Sequence, residues 1–144
     1  MISISTLYCG RPLASHLLRY APSGRRGPVV VFNCTERCNL ACAHCYCGAT
    51  AGGGDELSTD EAFGLIDDLA AAAVPVLLLS GGEPLARADL PALAARAAER
   101  GIRPVVSTNG TLIDEPAAAR LAEAGVAYAG VSLDGLAATH NAFR

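Results

Sequence analysis

From Val29 onward, two hydrophobic patterns take turns along the chain. Val29-Val30-Val31-Phe32 is a β-branched run and reads as a buried strand. Ser58-Thr59-Asp60-Glu61 is a capping box, in which the Ser58 hydroxyl accepts the Glu61 N–H while Glu61 reaches back to the cap. The helix it opens places Ala62, Phe63, Ile66, Leu69, Ala70 and Ala73 on one face. Val76-Leu77-Leu78-Leu79 is apolar without alternation, as a strand covered on both faces should be. The unit then repeats. Asp89 caps a helix through Leu90, Leu93, Ala94, Ala97 and Ala98, and Gly101 ends it. Val105-Val106 is the next strand, Asp114 caps a helix through Leu121 that Gly125 ends, and Val126 to Leu133 is the fourth strand. Such alternation with short connections predicts an α/β fold of parallel strands with outer helices.

The polar and glycine-rich segments fall in one place. A cysteine-rich loop follows the first strand and Gly81-Gly82-Glu83-Pro84 follows the second. Ser107-Thr108-Asn109-Gly110 follows the third, and Ser132-Leu133-Asp134-Gly135 ends the fourth. All four lie at the C-terminal ends of parallel strands, the rim on which α/β folds bind ligands.

Composition narrows the picture. Residues 1–28 are mixed and read as a lead-in, and residues 29–144 as the folded unit. Net charge is −3, every basic residue is Arg, and no basic run suggests a nucleic-acid partner. The apolar stretch from Leu69 to Leu79 is too short for a membrane helix and is broken by Pro75. The N-terminus lacks a basic patch followed by a long apolar run, so the expected location is the cytoplasm. Six cysteines are many for 144 residues, and five of them lie between Cys34 and Cys47. A local cluster without a signal peptide points to metal or redox chemistry rather than a disulfide framework.

The core of that cluster is Cys38-x3-Cys42-x2-Cys45. Three thiolates can hold three irons of a [4Fe–4S] cubane and leave the fourth iron without a protein ligand. A structural zinc site, with Cys34 or Cys47 as fourth thiolate, is the competing reading, although this spacing makes an awkward tetrahedral chelate. A ferredoxin-type cluster is another, and it needs a fourth ligand. Cys34, at a strand end, reads as a small buried hydrophobe, and Cys47 as structural.

The four segments together, Cys38-x3-Cys42-x2-Cys45, Gly81-Gly82-Glu83-Pro84, Ser107-Thr108-Asn109-Gly110 and Ser132-Leu133-Asp134-Gly135, resemble the radical S-adenosylmethionine (SAM) superfamily. The resemblance implies the N-terminal part of a partial (β/α)6 barrel, about four of six βα units, in an incomplete chain. It implies an enzyme with a [4Fe–4S] cluster on Cys38, Cys42 and Cys45 and SAM as the second cofactor. SAM's amino and carboxylate groups chelate the open iron, and an electron from the cluster breaks its S–C bond. Gly81, Gly82 and Glu83 are then expected to meet the SAM amino group. Ser107, Asn109 and Ser132 are expected to reach its ribose or carboxylate, and His44 to pack near the adenine. No residue is assigned to acid–base catalysis. Asp134 is read equally as a turn-former and a ligand.

A narrower resemblance is carried by Ile2-Ser3-Ile4-Ser5-Thr6-Leu7-Tyr8-Cys9-Gly10, Leu18-Arg19-Tyr20, Glu56-Leu57-Ser58-Thr59-Asp60-Glu61, Ile66-Asp67-Asp68-Leu69, Val74-Pro75-Val76 and Leu136-Ala137-Ala138-Thr139-His140-Asn141-Ala142-Phe143-Arg144. These segments are similar to the haem-pathway members, the didecarboxysirohaem deacetylase and haem d1 group. That implies an iron tetrapyrrole substrate and a reductant such as flavodoxin or ferredoxin. A peptide-modifying radical SAM enzyme with an auxiliary-cluster domain and a non-catalytic iron–sulfur module are the alternatives.

Overall fold

A computed structural model describes residues 27–49 and 51–144. The lead-in up to residue 26, including Cys9 and the segments of the haem-pathway resemblance that fall there, lies outside the described residues. The strands are β1 (Val29–Thr35), β2 (Val76–Gly81), β3 (Arg103–Thr108) and β4 (Tyr128–Val131). The helices are α1 (Thr59–Ala71), α2 (Leu90–Glu99), α3 (Glu115–Glu123) and α4 (Ala137–Phe143). The sheet runs β1-β2-β3-β4, every pair parallel. The expected α/β architecture of parallel strands with intervening helices is what the structure shows. Among the described residues no helix is long and apolar enough to cross a membrane.

Strand periodicity sorts the side chains. Phe32, Leu79, Val106 and Ala129 stand in one row across the sheet. Leu79 and Val106 of that row are fully buried with Ile66, Leu90, Leu93 and Ala97 of the helices, and Phe32 packs against this core. The neighbouring row, Val31, Leu78, Val105 and Tyr128, faces the other way, and Val31 is exposed. Toward the C-terminal strand ends this second face turns polar, with Asn33 paired to Ser80 and Ser107 to Gly130.

Local chemistry explains most boundaries. Ser58 and Glu61 form the reciprocal capping box at α1, with Ser58 N–H to Glu61 Oε2 at 2.8 Å. Asp114 caps α3 by accepting the Ala117 N–H at 2.7 Å. Asp89 occupies the cap position of α2 but makes no cap hydrogen bond. Its carboxylate instead takes Arg87 Nε at 2.6 Å and the Thr59 hydroxyl at 2.6 Å, tying the loop after β2 to α1. Strand β3 starts two residues earlier than expected and includes Pro104 in a central strand. The proline is accommodated because its carbonyl accepts Ala127 N–H ahead of β4, so the missing N–H falls where pairing has not begun. Strand β4 is shorter than the Val126–Leu133 run, and α4 was not foreseen.

Two carboxylates tie the layers together and make stability depend on acid. Glu56 accepts from Arg37 and, at 2.6 Å, from the Thr35 hydroxyl, and chiefly the Arg37 contact holds its pKa down at about 2. Asp67 on α1 is gripped by Arg100 and Arg96 and is likewise held at about 2. A depressed carboxylate stabilises the fold fully above its unfolded pKa and loses that contribution as pH falls through the folded value. Urea unfolding of the chain is therefore expected to be insensitive to pH from 7 to about 5 and to weaken from about pH 4.5 toward 2. The pair Glu56→Gln and Asp67→Asn is expected to flatten much of that acid limb. An acid limb equally steep in the double variant counts against these pairs.

Candidate metal centre

The loop between β1 and α1 is shaped by its neighbours. After β1 the chain is held by the loop that follows β2, where Gly82 N–H donates 2.8 Å to Thr35 O and Glu83 N–H donates 2.8 Å to Arg37 O. Gly81 sits at φ +135°, and a Cβ there would collide with the Thr35 carbonyl. A Cβ on Gly82 would meet the Arg37 carbonyl in the same way. The glycines let two stretches of this chain approach each other, at the entrance to the cysteine loop.

The cysteine loop then folds over the strand ends and encloses a cavity of about 260 Å³. Cys38, Cys42 and Cys45 all border it, facing Gly81, Gly82, Ser107, Asn109 and Ser132 across the space. His44 stands at its margin, with its ring edge-on to Phe143 at 5.3 Å between centroids. Eight of the sequence-predicted cofactor and metal positions beyond His44 are thus brought to one cavity.

Glu83 departs from expectation. It is fully buried and does not border the cavity. Its Oε1 accepts the Thr108 hydroxyl at 2.7 Å and the Leu85 N–H at 3.1 Å, and its Oε2 accepts the Asn109 N–H at 2.8 Å. Through these three bonds the carboxylate joins the loops after β2 and β3. Asn109 is also engaged. Its carboxamide donates 2.9 Å to Asn39 Oδ1 and accepts from the Thr111 N–H and hydroxyl, while Asn39 donates 2.8 Å to Thr111. This closed ring of Asn39, Asn109 and Thr111 fastens the start of the cysteine loop to the end of β3.

The donor set suits an iron–sulfur cubane. A cubane places its thiolates on separate irons, so it needs three sulfurs around a space rather than on a point. Among the described residues no three His, Cys, Asp or Glu side chains converge as a single ion would require. Backbone N–H groups reach two of the three sulfurs. Leu40 N–H points at Cys38 Sγ at 3.4 Å, and the Ala49 N–H leads in holding the Cys45 thiol below its usual pKa. Cys34 is not at the cavity. It is 2% exposed, its Sγ–H donates to Ser80 O, and burial pushes its thiol up to about 11. The zinc reading that used Cys34 as fourth ligand therefore loses that ligand. Cys47 does border the cavity, with its Sγ–H on Gly81 O at 3.2 Å.

One pairing in this region was not legible in the sequence. Asp134, left between turn-former and ligand, accepts Arg144 Nε at 2.5 Å, and Arg144 Nη1 lies 3.8 Å from Cys42 Sγ. A lone arginine ten residues beyond a loop carried no signal in the sequence that it folds back onto a cysteine.

The radical SAM superfamily model matches residues 32–144 of this chain. The chain belongs to the radical SAM superfamily. Members of this superfamily use a [4Fe–4S] cluster and SAM. Over 159 aligned residues the chain is 51% identical to the Fe-coproporphyrin III synthase of Methanosarcina barkeri, matching 100% of this chain and 39% of that protein. It is 47% identical to the pre-heme d1 synthase of Dinoroseobacter shibae over 84% of this chain and 30% of that protein. The radical SAM fold is seen again in the solved structure of anSMEcpe with bound AdoMet, at a TM-score of 0.65 and 25% identity, covering 81% of this chain and 34% of that one. The chain thus spans well under half the length of these relatives.

Proposed function

We propose that Cys38, Cys42 and Cys45 hold a [4Fe–4S] cluster and that SAM lies across the same cavity. The observation that carries this reading is the meeting of the three thiols with Gly81, Gly82, Ser107, Asn109 and Ser132 around one space. When bound, the cluster supplies the electron that breaks a carbon–sulfur bond of SAM. The rest falls to the chain. The Gly81-Gly82 backbone borders the space where the amino end of SAM lies, and Ser107 and Ser132 offer hydroxyls to its ribose and carboxylate. His44, backed by Phe143, covers the adenine side and limits water. Glu83 touches neither cofactor and keeps the β2 and β3 loops in register.

The proposed substrate is an iron tetrapyrrole related to sirohaem, from which acetate- or propionate-derived side-chain groups are removed. The 51% and 47% identities to the Fe-coproporphyrin III and pre-heme d1 synthases support this. In this reading residues 29–144 form the cofactor part of a six-unit barrel, further βα units wall the substrate, and a cytoplasmic flavodoxin or ferredoxin delivers the electron. The test is to incubate the longest form of the protein carrying this chain, reduced and with SAM, with didecarboxysirohaem. Loss of acetate-sized mass together with 5′-deoxyadenosine is the expected result. Turnover of no sirohaem derivative, with modification of a peptide instead, transfers the assignment to peptide chemistry.

A further inference from the structure

The cysteine loop is gripped from the side of the fourth strand as well as from below. Phe143 O accepts the Ala43 N–H at 3.0 Å, which fixes the end of α4 beside Cys42. The next residue, Arg144, has a side chain only 15% exposed that borders the cofactor cavity. Its Nε is held by Asp134, and its Nη1 lies 3.8 Å from Cys42 Sγ, within hydrogen-bonding reach of sulfur. Two independent anchors, one backbone and one side chain, therefore aim one cation at one of the three cluster cysteines.

The other groups facing Asp134 do not replace Arg144. His140 Nδ1 lies 3.9 Å from the carboxylate, beyond a direct hydrogen bond, and accepts the Asp134 N–H at 3.3 Å instead. His44 Nε2 is 3.6 Å away, beyond a direct hydrogen bond. Arg144 is the contact that binds the carboxylate tightly, and its fork has a second N–H side left to face the sulfur.

Resting on the cluster reading above, we propose that Arg144, held by Asp134, is the positioned positive charge that raises the reduction potential of the cluster through Cys42. One-electron reduction adds one negative charge to the cluster and its thiolates. A guanidinium beside a ligating sulfur stabilises that added charge more than the oxidised state. The partly buried wall weakens solvent screening and strengthens the effect. Asp134 does no chemistry of its own here and acts by keeping the guanidinium in place.

The test is an EPR-monitored redox titration of the anaerobically reconstituted 144-residue chain without SAM, using dithionite as electron donor. Arg144→Gln is expected to take up the same iron and sulfide and to titrate at a more negative potential. Arg144→Met, which also removes the charge, serves the same purpose should the Gln variant load poorly. Arg144→Lys restores a cation and is expected to recover most of the shift. An iron-loaded wild type whose potential matches that of the charge-removing variants overturns this inference alone. So does a Lys variant that falls as far as Gln. A wild-type chain that takes up no iron overturns the cluster reading and this inference with it.

Discussion

Changing Cys38, Cys42 or Cys45 singly to alanine is expected to abolish the iron–sulfur absorbance of the reconstituted chain. In the proposed ligand set each thiolate would be the sole protein ligand of one iron, and the fourth iron would have none. Removing one of the three would leave a second iron without a protein ligand, at a cavity that opens to solvent. Cys34→Ala is expected to keep its cluster, because Cys34 is 2% exposed and its sulfur is turned to the Ser80 carbonyl. Cys47→Ala is expected to load iron as well, since its sulfur is engaged with Gly81 O. Iron and sulfide analysis reads the result at about four of each per chain. A chain holding one zinc and no iron, or one in which Cys47→Ala is as damaging as Cys42→Ala, would falsify this ligand set.

The second large effect is expected at Glu83. Alanine there deprives the Thr108 hydroxyl, the Asn109 N–H and the Leu85 N–H of their acceptor in a fully buried place. Three lost hydrogen bonds at about 1 to 1.5 kcal/mol each predict a loss of about 3 to 5 kcal/mol in unfolding free energy. Binding of SAM is expected to fall in parallel, because Thr108 and Asn109 border the cavity and lose their support. Glu83→Gln is expected to lie between, since its amide presents one acceptor and one donor to a site furnished with donors. Urea unfolding of the cluster-free chain separates this role from that of a ligand carboxylate. A Glu83→Ala chain of wild-type stability that still binds SAM poorly would return the residue to direct contact with the cofactor.

The contrast between Cys38 and Glu83 shows what a sequence can carry. Cysteine spacing within eight residues already encodes a chelating loop, and the four strand-end segments follow from the alternation of apolar runs. Glu83 sits in an equally recognisable segment, but its partners Thr108 and Asn109 come from the end of β3 and the loop after it, 25 and 26 residues away. Residue type told that a carboxylate is needed there, and only the packed loops told which donors need it. Arg144 and Asp134 were harder still. Their meeting depends on α4, a helix of seven residues with no buried side chain and hence no apolar face to betray it. Asp89 misled in the opposite direction, since a cap position is a statement about sequence neighbours. The nearby Arg87, 5% exposed and donating to Cys34 O, drew the carboxylate away.

The ring of Asn39, Asn109 and Thr111 also bears on the chemical ageing of the protein. Asn109-Gly110 is the kind of step at which asparagine deamidates, by attack of the glycine nitrogen on the preceding carboxamide to close a succinimide. Here the Gly110 N–H is donated to Thr108 Oγ1 at 2.9 Å, and the carboxamide oxygen already takes two hydrogen bonds from Thr111. The nitrogen and the carbonyl that would react are each held by a separate partner. The contacts that seat the cysteine loop therefore also restrain succinimide closure at Asn109-Gly110.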